Sequence, residues 1–413
     1  MANDDRLAKG SLDRWAVAEN RNKCRLGNIG PAVPLFTDFA DEIMFPRCIL
    51  DEQFIETISS LDEQMCNSLG LSSTFRPNYR MWAKSLPSGQ IQEDDPYDLE
   101  LWGYALYSSW SSHFVAILDS GTETELRNGT VSLFDLAFQQ RSGWKHLFKQ
   151  QRKVFLPDAP FTSTVDIILT MYLPSDWGAY LSLFDKSYIF ASGLLLGEVV
   201  TFVSEAKCKE PTTAQRQLTF DLCSAQHQRR ALGFDDGQVF GATVVGDVLS
   251  MYCSTWENDI VSVYPAMPSF NLSNFPAFMM CYIFLCKVSD YVRGEVNKVF
   301  EEWGTKDGRS KFEERCRNAH ARGPWRRRYL SQSTTHDSSR LSGGSNAQDA
   351  MDTEDWEFAG DVEMQDEHQP VNGGDRLVLE NLQLLEEQQS EGMAIPPARD
   401  ITRWAHRLAE SYE

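Results

Sequence analysis

Residues 199–207, Val199-Val200-Thr201-Phe202-Val203-Ser204-Glu205-Ala206-Lys207, constrain the fold more than any other stretch. The run is rich in β-branched and aromatic residues and stays apolar until its last four positions, which predicts a strand buried in a sheet. Side chains alternate along a strand, so Val203, Glu205 and Lys207 share one face, with the two charged groups roughly 7 Å apart along the chain. A core strand therefore ends on a carboxylate and an ammonium. Neither is tolerated bare in a protein interior, so the pair must be solvated in a cleft, matched by partners or bound to a metal.

The segment that follows predicts a helix. Thr212 and Gln215 have capping-box spacing, Ala214, Leu218, Leu222 and Ala225 form an apolar stripe, and Gly233 suits its end. Gln217 lies beside that stripe, on a flank able to look back at the strand end. Upstream, Val165-Asp166-Ile167-Ile168-Leu169-Thr170-Met171-Tyr172 predicts another strand, which Asp166 helps to open.

A strand ending in Glu-x-Lys, a following helix with Gln217-Leu218 and a preceding strand with Val165-Asp166 together resemble the PD-(D/E)xK nuclease core, and more closely a large fungal set of nuclease-like proteins of that type. The resemblance spans about half the chain, roughly residues 90–303. It implies an α/β fold with a restriction-endonuclease-like αβββαβ core and added N-terminal helices. It also implies that Asp166, Glu205 and the Ala206 backbone carbonyl hold Mg²⁺ or Mn²⁺, hard cations suited to oxygen ligands. Lys207 would then stabilise developing negative charge or orient a water, and Gln217 would hold Lys207 or that water. The implied activity is metal-dependent hydrolysis of DNA or RNA phosphodiesters.

This chain departs from the family pattern in two ways. Val-Asp stands in place of Pro-Asp, and Asp166 lies 39 residues before Glu205, which requires an insertion over 175–197. These departures leave open a second function, a catalytically silent nuclease-like fold used for binding or assembly. An accessory protein of fungal specialised-metabolite biosynthesis is one setting in which such family members occur. Chance alone allows about two acidic-x-Lys triplets in a chain of this composition, so the weight rests on the flanking pattern rather than on the triplet.

Other acids compete for the site. Asp158 follows a literal Pro157 but lies between prolines, where a turn is the ordinary outcome. Asp176 and Asp185 lie in the insertion. Glu100, at the start of a helix expected over 96–118, is placed either to join a metal site or simply to complement the helix dipole. For Glu205 and Lys207 themselves, the alternative to a nuclease-type centre is a structural ion pair.

The remaining chain predicts an irregular arm over 1–45, a helix over 50–69, and a second helix over 133–150. Lys145, Lys149, Arg152 and Lys153 of that second helix would approach a phosphate backbone or lie on a solvated face. A hairpin turning at Gly246-Asp247 follows, then a strand over 260–264 and a closing helix over 275–303. The formal charge is -20, but residues 331–413 carry 18 acidic residues against 5 Arg, while residues 304–330 carry 9 Lys or Arg against 3 acids. The first of these reads as an acidic, mostly disordered tail with short helices over 377–387 and 401–412 able to engage a protein partner, and the second as a basic linker. Overall acidity neither excludes nor supports a nucleic-acid ligand. The nine cysteines form no Cys-x-x-Cys pair, apolar runs such as 275–286 fall short of a membrane span, and the first residues are polar. These features predict an intracellular protein, nuclear or cytoplasmic, with no membrane partner. No phosphate loop and no kinase motif is present.

Overall fold

The apolar run around Val200 forms an interior strand of a seven-stranded sheet. In chain order the elements are β1 (Cys24–Leu26), β2 (Phe45–Pro46), α1 (Glu52–Ser68), α2 (Phe75–Ser85), β3 (Ile91–Gln92), α3 (Leu99–Leu118), α4 (Glu123–Asp135), β4 (His146–Phe155), β5 (Thr162–Tyr172), β6 (Glu198–Lys207), α5 (Pro211–Ala231), β7 (Val239–Val245), β8 (Val248–Glu257), β9 (Ile260–Asn271), α6 (Phe275–Trp303) and α7 (Lys306–Ala321). The computed structural model describes residues 24–26, 38–39, 42–119, 121–140, 146–155, 162–172, 198–234, 237–257 and 260–321. Asp158, Asp176, Asp185, Lys145, the arginines at 322–328 and the acidic tail lie outside them.

The fold is mixed α/β, and the sheet is mostly antiparallel, in the order β1-β9-β8-β7-β6-β5-β4. Strands β4, β5 and β6 pair antiparallel, and β6 then pairs parallel with β7 across the α5 connection. Nine of the ten residues of β6 are buried, because helical segments cover both faces. On one face Phe202 packs against Phe134 and Phe138 with ring centroids 5.2 Å apart in each pair. On the other, α5 approaches so closely that a Cβ at Gly241 would meet Leu218 Cδ1 at 2.9 Å. Glycine is required there by close packing rather than by a turn.

A register shift interrupts β5 against β6 after Leu169, and α5 repairs the gap. The Gln228 carboxamide accepts from Val200 N–H at 3.0 Å and donates to the Glu198 carbonyl at 2.8 Å, so two buried backbone groups next to the bulge are satisfied. Downstream, β7 and β8 turn at Gly246, whose φ of 59° suits the first central position of the expected type II′ turn. Gly233, at φ 80°, ends α5 as its position implies.

Several expectations are corrected. Residues 146–155 form β4 rather than the end of a helix over 133–150: α4 continues as a π-helical turn, Leu136–Gln140, which matches the first part of the expected helix, and pairing with β5, a non-local interaction, decides 146–155. The basic residues Lys149, Arg152 and Lys153 thus lie on an outer strand. The arm before residue 45 contributes β1, paired parallel with β9. The expected basic linker is helical over Lys306–Ala321, and Phe312 is buried with its ring 4.8 Å from that of Trp303. Helix α5 starts at Pro211 without the Thr212–Gln215 capping box; instead Thr213 Oγ1 donates to Glu210 Oε2 at 2.7 Å. By length and composition α6 is apolar enough to cross a membrane, yet most of its apolar length is buried inside the fold. It serves as the core helix.

Candidate functional site

The register that pairs Ile167 with Ser204 brings Asp166 of β5 beside Glu205 of β6. The two acids are then locked by backbone donors. Asp166 N–H donates to Glu205 Oε1 at 3.2 Å, and Ala206 N–H donates to Asp166 Oδ2 at 2.9 Å. Lys207 Nζ lies 3.7 Å from Asp166 Oδ2 and 3.8 Å from Glu205 Oε2. Three of the four expected side chains therefore converge on one point. Of the fourth, Gln217, the side-chain Oε1 is buried and accepts no hydrogen bond. Ala206 N–H, a group separate from the carbonyl expected to act as a ligand, is the donor to Asp166.

Helix α4 supplies two charged groups that do not stand out in the sequence. Its start is fixed by a capping box, with Thr122 N–H donating to Glu125 Oε2 at 2.6 Å and Glu125 N–H donating to Thr122 Oγ1 at 3.3 Å. Glu123 and Arg127 follow at i,i+4 spacing, which places them on one side of the helix. Glu123 Oε1 accepts from Lys207 Nζ at 2.9 Å, and Arg127 Nη1 donates to Asp166 Oδ1 at 3.0 Å. The helix-borne glutamate at the cluster is thus Glu123, not Glu100. The latter stands in the exposed first turn of α3, where its own N–H donates to Asp95 Oδ2 at 2.7 Å. From α5, Asp221 adds a further buried acid beside Glu205. Its signal in the sequence is an acid within the Leu218, Leu222, Ala225 stripe.

Both oxygens of Asp166 are engaged by N–H donors, and Asp166 is 5% exposed and Glu205 0%. Burial, then the nearby Asp221 and Asp166 carboxyls, push the Glu205 pKa well above the usual glutamate value. Burial pulls the Lys207 pKa down, but Glu205, Asp166 and Glu123 outweigh it and hold the ammonium above its ordinary value. The cluster is therefore stabilised with Lys207 charged and Glu205 inclined to keep its proton.

These donors do not fit a divalent cation as they stand. Mg²⁺ demands close oxygen ligands in near-octahedral geometry, whereas here Arg127 occupies an Asp166 oxygen and brings its own positive charge to the spot. The arrangement is a network of ion pairs and hydrogen bonds, buried at Arg127, Asp166 and Glu205 and reaching solvent at Glu123, with Glu205 Oε2 left without a hydrogen-bond partner. Comparison of the chain with protein-family models, curated proteins and solved structures returns no match.

The raised Glu205 pKa has a testable sign. Below the ordinary glutamate pKa of about 4.3 both folded and unfolded states are protonated, and the contribution to stability is complete. As pH rises toward the folded value, the unfolded chain releases its proton while the folded chain retains it, and stability falls. Glu205→Gln keeps the Oε1 acceptor and removes the ionisation, so its melting temperature should exceed the parent's at pH 8. Its stability should also vary less between about pH 5 and 8. Melting curves across that range decide the matter; a parent that gains stability relative to the variant as pH rises would refute the assignment.

Proposed function

We propose that the chain is a nuclease-like fold of PD-(D/E)xK type used for binding or assembly, without phosphodiester hydrolysis. The element order α4, β4-β5-β6, α5, β7, with β6 and β7 parallel, supports the restriction-endonuclease-like core implied by the sequence resemblance. The single observation that carries the silent reading is the capture of both Asp166 oxygens, by Arg127 and by Ala206 N–H. Each Asp166 oxygen already accepts a hydrogen bond, one of them from a cation, and the residue is 5% exposed, which disfavours a metal at this carboxylate. An accessory role in a fungal specialised-metabolite pathway, with a protein partner engaged through the acidic tail, follows from the resemblance and the charge distribution.

A second reading, a metal-dependent nuclease acting on DNA or RNA, is favoured by one fact: Lys207 Nζ lies within 3.8 Å of an oxygen of each acid. The purified chain incubated with labelled DNA and RNA in Mg²⁺ or Mn²⁺ separates the two. The closed centre should give no cleavage and no metal-dependent rise in melting temperature. Cleavage by the parent that disappears in a folded Lys207→Ala variant would establish the enzyme instead.

A further inference from the structure

A recess lies among α1, α2, α3 and the start of α6, none of which supplies a charged group to the cluster at the end of β6. Four rings line it. Trp110 stacks on Phe114 with centroids 5.1 Å apart and planes at 20°, and the Phe275 ring lies 5.5 Å from Trp110 and 5.8 Å from Phe75. The mouth is polar, with Thr74 exposed and Asn274 half-buried. The free space inside is about 40 Å³. One water needs roughly 10–15 Å³, and a cavity that admits benzene measures about 150 Å³. The recess therefore takes a group of a few heavy atoms and excludes a whole aromatic ring.

Its hydrogen-bonding capacity is one-sided. Trp110 is 5% exposed, and its Nε1–H is buried and donates to no acceptor. Asn274 commits its Oδ1 to the Ala277 N–H at 3.3 Å, which leaves its Nδ2 donors uncommitted among the described residues. The acid in the wall, Asp62, is already engaged: Oδ1 accepts from Tyr107 Oη at 2.8 Å, and Oδ2 accepts from Cys66 Sγ at 3.5 Å and from Ser73 Oγ. A buried donor without an acceptor is costly, so the recess calls for an oxygen. A carboxylate would bring a second negative charge beside Asp62, and a cation would find no uncommitted acid. An uncharged carbonyl meets both conditions, and a methyl group beside it suits the rings.

We propose that this recess binds a small molecule through an uncharged short acyl group, with the apolar carbon against Trp110, Phe114 and Phe275 and the carbonyl oxygen answering the donors of Trp110 and Asn274. The site is independent of the reading given above for the end of β6. The part of the ligand beyond the acyl group stands in the polar mouth.

The test titrates N-methylacetamide into the full chain, labelled at its tryptophan indole nitrogens, and follows by NMR the indole N–H resonance that Trp110→Phe removes. That resonance should shift saturably, with a Kd on the order of 1–10 mM. Trp110→Phe, which keeps a ring and loses the donor, should bind about two- to tenfold more weakly by ligand-observed saturation transfer. Acetate and tetramethylammonium should leave the resonance unmoved. No saturable shift with N-methylacetamide up to about 100 mM overturns the inference, as does equal affinity for either ion. If Trp110→Phe does not fold, the resonance is assigned from its proximity to the Phe114 ring protons. Asn274→Asp, which keeps the cap on Ala277 N–H and replaces the uncommitted donors with a charge, then serves as the variant: weaker binding upholds the site, and unchanged affinity overturns it.

Discussion

Asp166→Ala should destabilise the folded chain by about 4 kcal/mol, because it removes one member of a buried ion pair. Arg127 is 5% exposed and donates to Asp166 Oδ1 at 3.0 Å, while Ala206 N–H donates to Oδ2 at 2.9 Å. Truncation leaves the arginine without this partner and a backbone N–H without its acceptor, and both costs have the same sign. The sign is informative. In a metal site awaiting its cation, removing one of two adjacent acids relieves repulsion and tends to stabilise the protein. Replacing both members of the pair, Arg127→Met with Asp166→Leu, should recover most of the loss, since an apolar pair of similar size avoids burying charge at all. Urea denaturation of the parent, the two single variants and the double variant gives the coupling energy directly, expected at about 2–3 kcal/mol. Independent, additive effects would place Arg127 outside the cluster's energetics.

Phe275→Ala should cost a similar amount, about 4 kcal/mol, for a different physical reason. Phe275 opens α6, is 1% exposed, and its ring centroid lies 5.3 Å from Tyr107, 5.5 Å from Trp110 and 5.8 Å from Phe75. It therefore ties α2 and α3 to the core helix, and its loss leaves a cavity among rings that are themselves held in place. Nearby, the buried Asp62 accepts from Tyr107 Oη at 2.8 Å, so displacement of Tyr107 would also weaken a buried hydrogen bond. Phe275→Leu, which keeps most of the volume, should lose much less. Equal losses for leucine and alanine in chemical denaturation would show that the site does not depend on filled volume.

The sheet was legible where a strand's residues speak for themselves. The Val, Thr and Phe run of β6 requires cover on both faces, and Phe202 and Val203 receive it from opposite sides. Gly246-Asp247 announced its turn through backbone conformation alone. By contrast β4 was missed, since its spacing of Lys149, Arg152 and Lys153 imitates a helix face and only its partner β5 reveals a strand. The site divides the same way. Asp166, Glu205 and Lys207 were found because their positions within strands carry meaning, and alternation plus register brings them together. Arg127 and Glu123 gave only a faint signal, a capping box at Thr122 followed by an acid and a base four residues apart. Nothing local states that this helix end meets the end of β6, and the identity of the counter-charge is a tertiary fact. Gln217 was harder to place for a related reason: a residue on the flank of a helix is aimed by the helix's rotation, which its own position in the sequence does not state.

The closed centre is tested most directly by a crystal structure of the parent chain soaked in millimolar Mn²⁺, with anomalous scattering used to locate the ion. The expected map has Arg127 still bonded to Asp166 and no anomalous peak between Asp166 and Glu205. A peak coordinated by those two carboxylates, with the guanidinium displaced, would contradict the assignment and make the chain a metal-dependent enzyme in waiting.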